Sequence, residues 1–149
     1  MGADVEVEVV RACSDELVKA FGRLLPQLSR SAAPLDAAGI DALVAWPGNT
    51  LLVARVGGEV VGSLTLVIFP IPTGTRAWIE DVVVDEAARG RGVGAALTNE
   101  AVRLARAGGA RTVDLTSRPA RAAANRLYER LGFELRDSKV YRLAADQPG

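Results

Sequence analysis

The stretch VVVDEAARGRGVGAAL, residues 82–97, runs from a continuous apolar strand through a glycine-rich turn into a helix, and its reading decides the fold. The first N–H groups of a helix lack intrahelical acceptors and lie at the positive end of its dipole. Glycines let such a backbone close on an anion. Arg89, Gly90, Arg91, Gly92, Val93, Gly94 and Ala95 therefore form a candidate phosphate site, to which Arg89 and Arg91 add charge-assisted contacts.

Several readings of this loop compete. A P-loop is excluded because no Gly-Lys-Ser/Thr follows the glycines. A dinucleotide fingerprint is met by Gly90, Gly92 and Ala95, with Asp114 downstream for a ribose contact. Against it, Asp114 falls inside a strand, the glycines come several residues past the strand end, and an antiparallel hairpin precedes the unit. A helix N-terminus with an exposed basic turn and no ligand is the plainest alternative.

Working outward, Val5, Val7 and Val9 alternate with Glu6 and Glu8, the period of a half-buried strand. Ser14 followed by Asp15 and Glu16 reads as a helix start, and Leu17, Phe21, Leu24, Leu25 and Leu28 follow at helical spacing, with Pro26 ending or kinking the helix near its last turn. A second short helix is expected over Asp36 to Trp46. LLVARV, Gly57-Gly58 and EVVGSLTLVIF predict a β-hairpin; Pro70 to Arg76 reads as a loop, and AWIEDVVVD as a buried central strand. Helices are expected over Gly92 to Ala107 and Pro119 to Leu131, with a strand at Thr112 to Ser117 between them. Phe133 to Arg136 and Lys139 to Leu143 read as two short strands.

Composition bounds the chemistry. The chain has 149 residues, 49% hydrophobic and 24% charged, and 18 Lys plus Arg balance 18 Asp plus Glu, so one domain over 1–149 is expected. Zero net charge argues against a nucleic-acid partner. One cysteine, Cys13, and no histidine exclude an intrachain disulfide, Ser/His/Asp and Cys/His catalysis and His-ligated metals, so no metal is expected. No apolar run is long enough to span a membrane, and the first residues carry acids where a signal peptide needs a basic start, which reads as a soluble, cytoplasmic protein without a membrane partner.

The run Arg89-Gly-Arg-Gly92-Val-Gly94 resembles the R/Q-x-x-G-x-G/A motif of the GNAT superfamily of acetyl-CoA-dependent N-acetyltransferases. The resemblance extends over Ile79-Glu-Asp-Val-Val-Val before the loop and Asn125-Arg-Leu-Tyr-Glu-Arg-Leu-Gly-Phe133 after it, in the family's order. It implies an α/β fold with a mixed, mainly antiparallel sheet of six or seven strands and about four helices. It also implies acetyl-CoA as acyl donor, a small-molecule or peptide amine as acceptor, and either a monomer or a homodimer. In the family the loop amides hold the CoA pyrophosphate. The strand before the loop splays from its neighbour, and its free backbone, here Val82, Val83 and Val84, binds pantetheine and polarises the thioester.

Transfer of an acetyl group to an amine needs a neutral amine, a stabilised oxyanion and a proton for the leaving thiolate. Tyr128 matches the family's tyrosine, often assigned as the general acid, although a half-buried core tyrosine fits the same spacing. Arg121, Ala124, Asn125 and Tyr128 share one helix face that could line a cofactor channel. Many members carry Asn where this chain has Arg121, and Asn125 stands at a place usually apolar. Without histidine, the amine must be deprotonated by a carboxylate through water, or bind already neutral. Glu80 and Asp81 form the candidate pair: Glu80 as base or water-positioning group, Asp81 as structural or substrate-binding residue. Alternation puts two adjacent strand residues on opposite faces unless a bulge intervenes. Strand-end acids paired with arginines are the reading without chemistry, and a CoA-binding regulatory module without turnover is the alternative function.

Overall fold

The computed structural model describes residues 4–146. By internal contacts the chain falls into two compact units, Met1–Ser117 and Arg118–Gly149. The first holds β1 (Val5–Val9), α1 (Asp15–Leu28), α2 (Ala37–Ala45), β2 (Asn49–Val56), β3 (Glu59–Ile71), β4 (Gly74–Val84), a 3-10 turn (Glu86–Ala88), α3 (Val93–Ala107) and β5 (Thr112–Asp114). The second holds α4 (Ala122–Arg130) and the residues that follow it.

The helix starts form as their local sequence dictates. Ser14 Oγ accepts the Leu17 N–H at 3.2 Å, and Asp36 Oδ1 accepts the Gly39 N–H at 2.8 Å, each satisfying a donor that the helix leaves free. Pro26 lies in the last turn of α1, which ends two residues later, as expected.

The five strands form one sheet in the order β1-β2-β3-β4-β5, antiparallel except for the β4–β5 pair. Such a sheet is not doubly wound, which removes the dinucleotide-binding reading. Gly57 and Gly58 both have positive φ (59° and 84°), the requirement of the tight two-residue turn joining β2 to β3. Residues 70–76 are not the expected loop: β3 runs to Ile71 and β4 begins at Gly74, leaving only Pro72 and Thr73 as a turn. Pro70 is tolerated there because β3 outruns β2 beyond Val67 and has a ladder partner on one side only.

The sheet separates two cores. On one face Leu51, Val53, Val60 and Val83 are buried with Leu17, Phe21 and Leu24 of α1 and Ile40 of α2. The other face carries Leu52, Ala54, Leu64, Leu66, Ala77 and Ile79, all buried, and α3 lies over it with Val93, Leu97, Ala101 and Ala105 turned inward every fourth residue. Completely buried side chains such as Leu24, Leu64 and Leu97 contribute about 1.5–3 kcal/mol each in transfer terms. Outside the cores, Arg55 ties β2 to both β1 and α1: its guanidinium meets Glu8 at 2.9 Å and Glu16 at 2.7 Å, and this holds the Glu16 carboxyl below its ordinary range.

A bulge in β4 changes which residues face which core. Thr65 pairs with Glu80 and Ser63 with Val83, so Leu64 stands opposite both Asp81 and Val82. Asp81 takes φ 52°, the one non-glycine residue in the left-handed region among the described residues. The extra residue reverses the alternation, so that Ile79 faces α3 whereas Val83 joins the α1–α2 core.

The second unit departs from expectation. α4 begins at Ala122 rather than Pro119, and β5 covers three of the six residues expected as strand. Neither Phe133–Arg136 nor Lys139–Leu143 forms a strand, because no ladder partner takes up its backbone groups among the described residues. The sheet therefore has five strands, not six or seven. Leu135, Val140, Tyr141 and Leu143 are all exposed.

At Gly62 α3 packs tightly on the sheet: a Cβ there would stand 2.9 Å from Val93 Cγ1, 3.1 Å from the Val83 carbonyl oxygen and 3.2 Å from Leu97 Cδ1. Gly62→Ala is expected to destabilise the protein by about 1–3 kcal/mol through overpacking, read by urea denaturation. An unchanged midpoint would mean that α3 is not seated on β3 in this way.

Candidate active site

Among the described residues, β4 leaves main-chain groups at its end without strand partners. It pairs with β5 only through Arg76, Ala77 and Trp78, while it stays on β3 as far as Val84. From Ile79 onward it has no β5 partner among the described residues. The Asp85 N–H donates to the Val61 carbonyl at 2.8 Å, toward β3. Backbone groups alternate along a strand, so the Val84 N–H and C=O point the other way, into the open side. The Val83 side chain is buried in the core, and its N–H and C=O, in register with Ser63, turn toward β3 like those of Asp85, so Val83 offers nothing to the open side; Val82 and Val84 are half-buried.

This open edge leads directly into the glycine loop. Gly90 and Gly92 have φ 81° and 79°, and a Cβ on either would meet nothing within 4 Å, so the space before the turn is clear. Gly92 offers no side-chain cap, and the first helical hydrogen bond of α3 runs from the Ala96 N–H to the Gly92 carbonyl at 3.0 Å. The N–H groups of Val93, Gly94 and Ala95 thus precede the helical ladder. Arg89 and Arg91 are exposed beside them. Unpaired donors, positive dipole and two guanidiniums fit the CoA pyrophosphate, and the unpaired β4 edge fits its amide-bearing arm.

Glu80 and Asp81 are both exposed. Trp78 Nε1 donates to Glu80 Oε1 at 2.5 Å, the two side chains standing on the same face two residues apart, so Trp78 orients the carboxylate. The i, i+2 spacing of Trp78 from Glu80 along the strand is the sequence signal for this contact. Asp114 is in register with Trp78 across the parallel pair. Asp114, weighed in the sequence only as a ribose ligand, therefore joins the face of Trp78 and Glu80. Nothing but pairing register could have shown that, since 36 residues separate β4 from β5 there.

α4 can be described on its own. Its C-terminus closes with the Gly132 N–H on the Glu129 carbonyl at 3.1 Å and the Phe133 N–H on the Tyr128 carbonyl at 3.0 Å, with Gly132 at φ 98°. The Phe133 ring meets the Tyr128 ring edge-on at 5.9 Å, the hydrophobic contact that accompanies this cap. The spacing of Tyr128, Gly132 and Phe133 thus fixes both the backbone and the ring of Tyr128. Burial pushes the Tyr128 phenol above its ordinary pKa, and the charge of Arg121 offsets part of the rise. Asn125 Nδ2 donates to the Arg118 carbonyl at 3.1 Å, so this side chain also closes the turn before α4. Arg121 precedes the first residue of the helix and is exposed.

Comparison with known proteins agrees with this geometry. Residues 15–133 match the pattern of the Acetyltransferase (GNAT) family. The crystal structure of a Trypanosoma brucei acetyltransferase is 30% identical with a TM-score of 0.75, over 95% of this chain and 99% of that one. A transcriptional regulator from Bacillus halodurans is 29% identical with a TM-score of 0.75, over 93% and 99% of the two chains. An aminoglycoside N-acetyltransferase in complex with CoA shares the fold at 17% identity and a TM-score of 0.78, over 97% of each chain. A search of curated proteins gives no match. With the family pattern covering most of its length, the chain belongs to the GNAT acetyltransferase family.

Proposed function

We propose that this protein transfers an acetyl, or another small acyl, group from acyl-CoA to a primary amine of a small molecule or peptide by direct attack. The observation that carries the reading is the unpaired edge of β4, which runs without a break into a turn of bare N–H groups and arginines. The family match crosses the border between the two compact units, which supports one N-acetyltransferase domain. No helix among the described residues is long and apolar enough to cross a membrane.

Bound acetyl-CoA supplies the acyl group already activated as a thioester. Gly90 to Ala95, with Arg89 and Arg91, hold its phosphates; the main chain of Val82 and Val84 receives its arm. The Val84 N–H, on the open side of β4, is a hydrogen-bond donor available to a carbonyl oxygen on which negative charge develops. Arg121, just before α4, and Asn125, on it, serve as further cofactor contacts.

Proton handling falls to carboxylate, phenol and water. Glu80, oriented by Trp78 and exposed, takes the amine proton directly or through water, and Asp81 binds the acceptor ammonium before it is deprotonated. Tyr128 gives its proton to the departing sulfur. Because burial favours the neutral phenol, Tyr128 stays protonated through the physiological range, the form an acid requires.

Acetyl-CoA assayed against a panel of amines, following thiol release, tests the reading. Saturable CoA binding with no thiol release from any amine would favour a regulatory CoA-binding module instead. Tyr128→Phe is expected to lower kcat about 100-fold or more with little change in acetyl-CoA affinity. An acid must be protonated to act, so activity owed to Tyr128 falls only as the pH rises past its raised value, above about 10. Unchanged turnover in Tyr128→Phe would remove it as the acid. Glu80→Gln keeps an oxygen for the Trp78 N–H but cannot accept a proton, and is expected to alter the pH dependence of kcat/KM; an unaltered profile would assign the proton to Asp81 or to water alone.

A further inference from the structure

α1 holds the start of the glycine loop from the opposite face of the sheet. Gln27, in its last turn, accepts the Glu86 N–H on Oε1 at 2.9 Å. Its amide nitrogen donates to the Arg23 carbonyl at 3.1 Å and to Asp85 Oδ1 at 3.5 Å. An N–H can be met only by the amide oxygen, so the Glu86 contact sets which way the Gln27 amide points. Asp85 Oδ1 also caps the 3-10 turn by accepting the Ala87 N–H at 3.2 Å. Arg23, one turn earlier, donates from Nη2 to the Val60 carbonyl at 2.9 Å and stands 3.9 Å, through Nε, from Asp85 Oδ2. The residues joining β4 to the 3-10 turn are thus hydrogen-bonded to a helix 59 residues earlier in the chain.

We infer that Gln27, supported by Arg23, is a positioning residue for the cofactor-binding loop: it fixes where the backbone turns after Val84 and hence where Arg89 to Ala95 are presented. The inference rests on the reading of that loop as the CoA phosphate site. The loop has no side-chain cap of its own at Gly92 and two glycines at positive φ, so its conformation depends on being held at its start. Gln27 touches no reacting group; its effect is on binding and not on the chemical step. An exposed, uncharged residue with no other partner beyond α1 has no comparable use in the core.

The test is Gln27→Met, which keeps the length and helix preference of the side chain, leaves the net charge unchanged and removes both contacts to the loop. CoA affinity is read by calorimetry on wild type and variant, and kcat at saturating acetyl-CoA with an accepted amine. Expected is CoA binding about three- to tenfold weaker, the loss of one or two exposed hydrogen bonds, with kcat within about twofold. Amide exchange of the unliganded variant should quicken at 85–95 while the rest of the sheet keeps its protection. Unchanged CoA affinity in the variant overturns the inference and leaves the proposed function standing, as does exchange that quickens through the whole protein. Absence of CoA binding in the wild type overturns the proposed function and this inference with it.

Discussion

A strand that is paired on one side only, at its end, is the constraint from which the site follows. β4 keeps β3 as far as Val84 but parts from β5 after Trp78, and its backbone groups on that side have no strand partner among the described residues. The bulge opposite Leu64 accompanies the parting. A bulge bends its strand and sharpens the local twist, which is compatible with staying on an antiparallel neighbour while leaving a parallel one. Asp81 bears the conformational cost at φ 52°, a region open to Asp more than to most side chains because its short polar group hydrogen-bonds locally. The same extra residue turns Val83 into the α1–α2 core, so the strand is anchored immediately beyond its open stretch.

What surrounds that strand has the effect of holding it still. α3 packs on one face closely enough to require glycine at position 62, and α1 packs on the other and reaches the first loop residues through Gln27 and Arg23. The glycine turn between them has two residues at positive φ and no side-chain cap of its own. It is held at both ends, by the Asp85 side chain on the 3-10 turn and by Val93, which is buried at the first position of α3. In the second unit, the close of α4 fixes Tyr128 by the same economy, one glycine at positive φ and one ring contact.

Much of this was legible along the chain. The hairpin at Gly57-Gly58, the caps at Ser14 and Asp36, and the strand–glycine–helix unit at 82–97 all lie where local patterning puts them. Such features depend on residues within one or two turns of each other. The loop expected at 70–76 became strand because Pro70 falls where β3 has a single neighbour, a fact about β2's length that the proline's own surroundings do not carry. The tail residues 133–143 alternate as strands do but take no partner among the described residues, and alternation without an edge to pair with does not make a strand.

The sequence by itself determined the family, the element order through α4 and the residue types available for chemistry. Missing histidine excluded imidazole chemistry, and three motif blocks in fixed order picked out the candidate positions. Only the tertiary structure decided how those positions are placed. It set the phase of β4 beyond its bulge, paired Asp114 with Trp78, turned Trp78 toward Glu80 and tied Gln27 to the loop. Local patterns report what a few neighbouring residues prefer, whereas strand register and contacts across the sheet arise from packing between segments dozens of residues apart, where a one-residue shift exchanges the two faces.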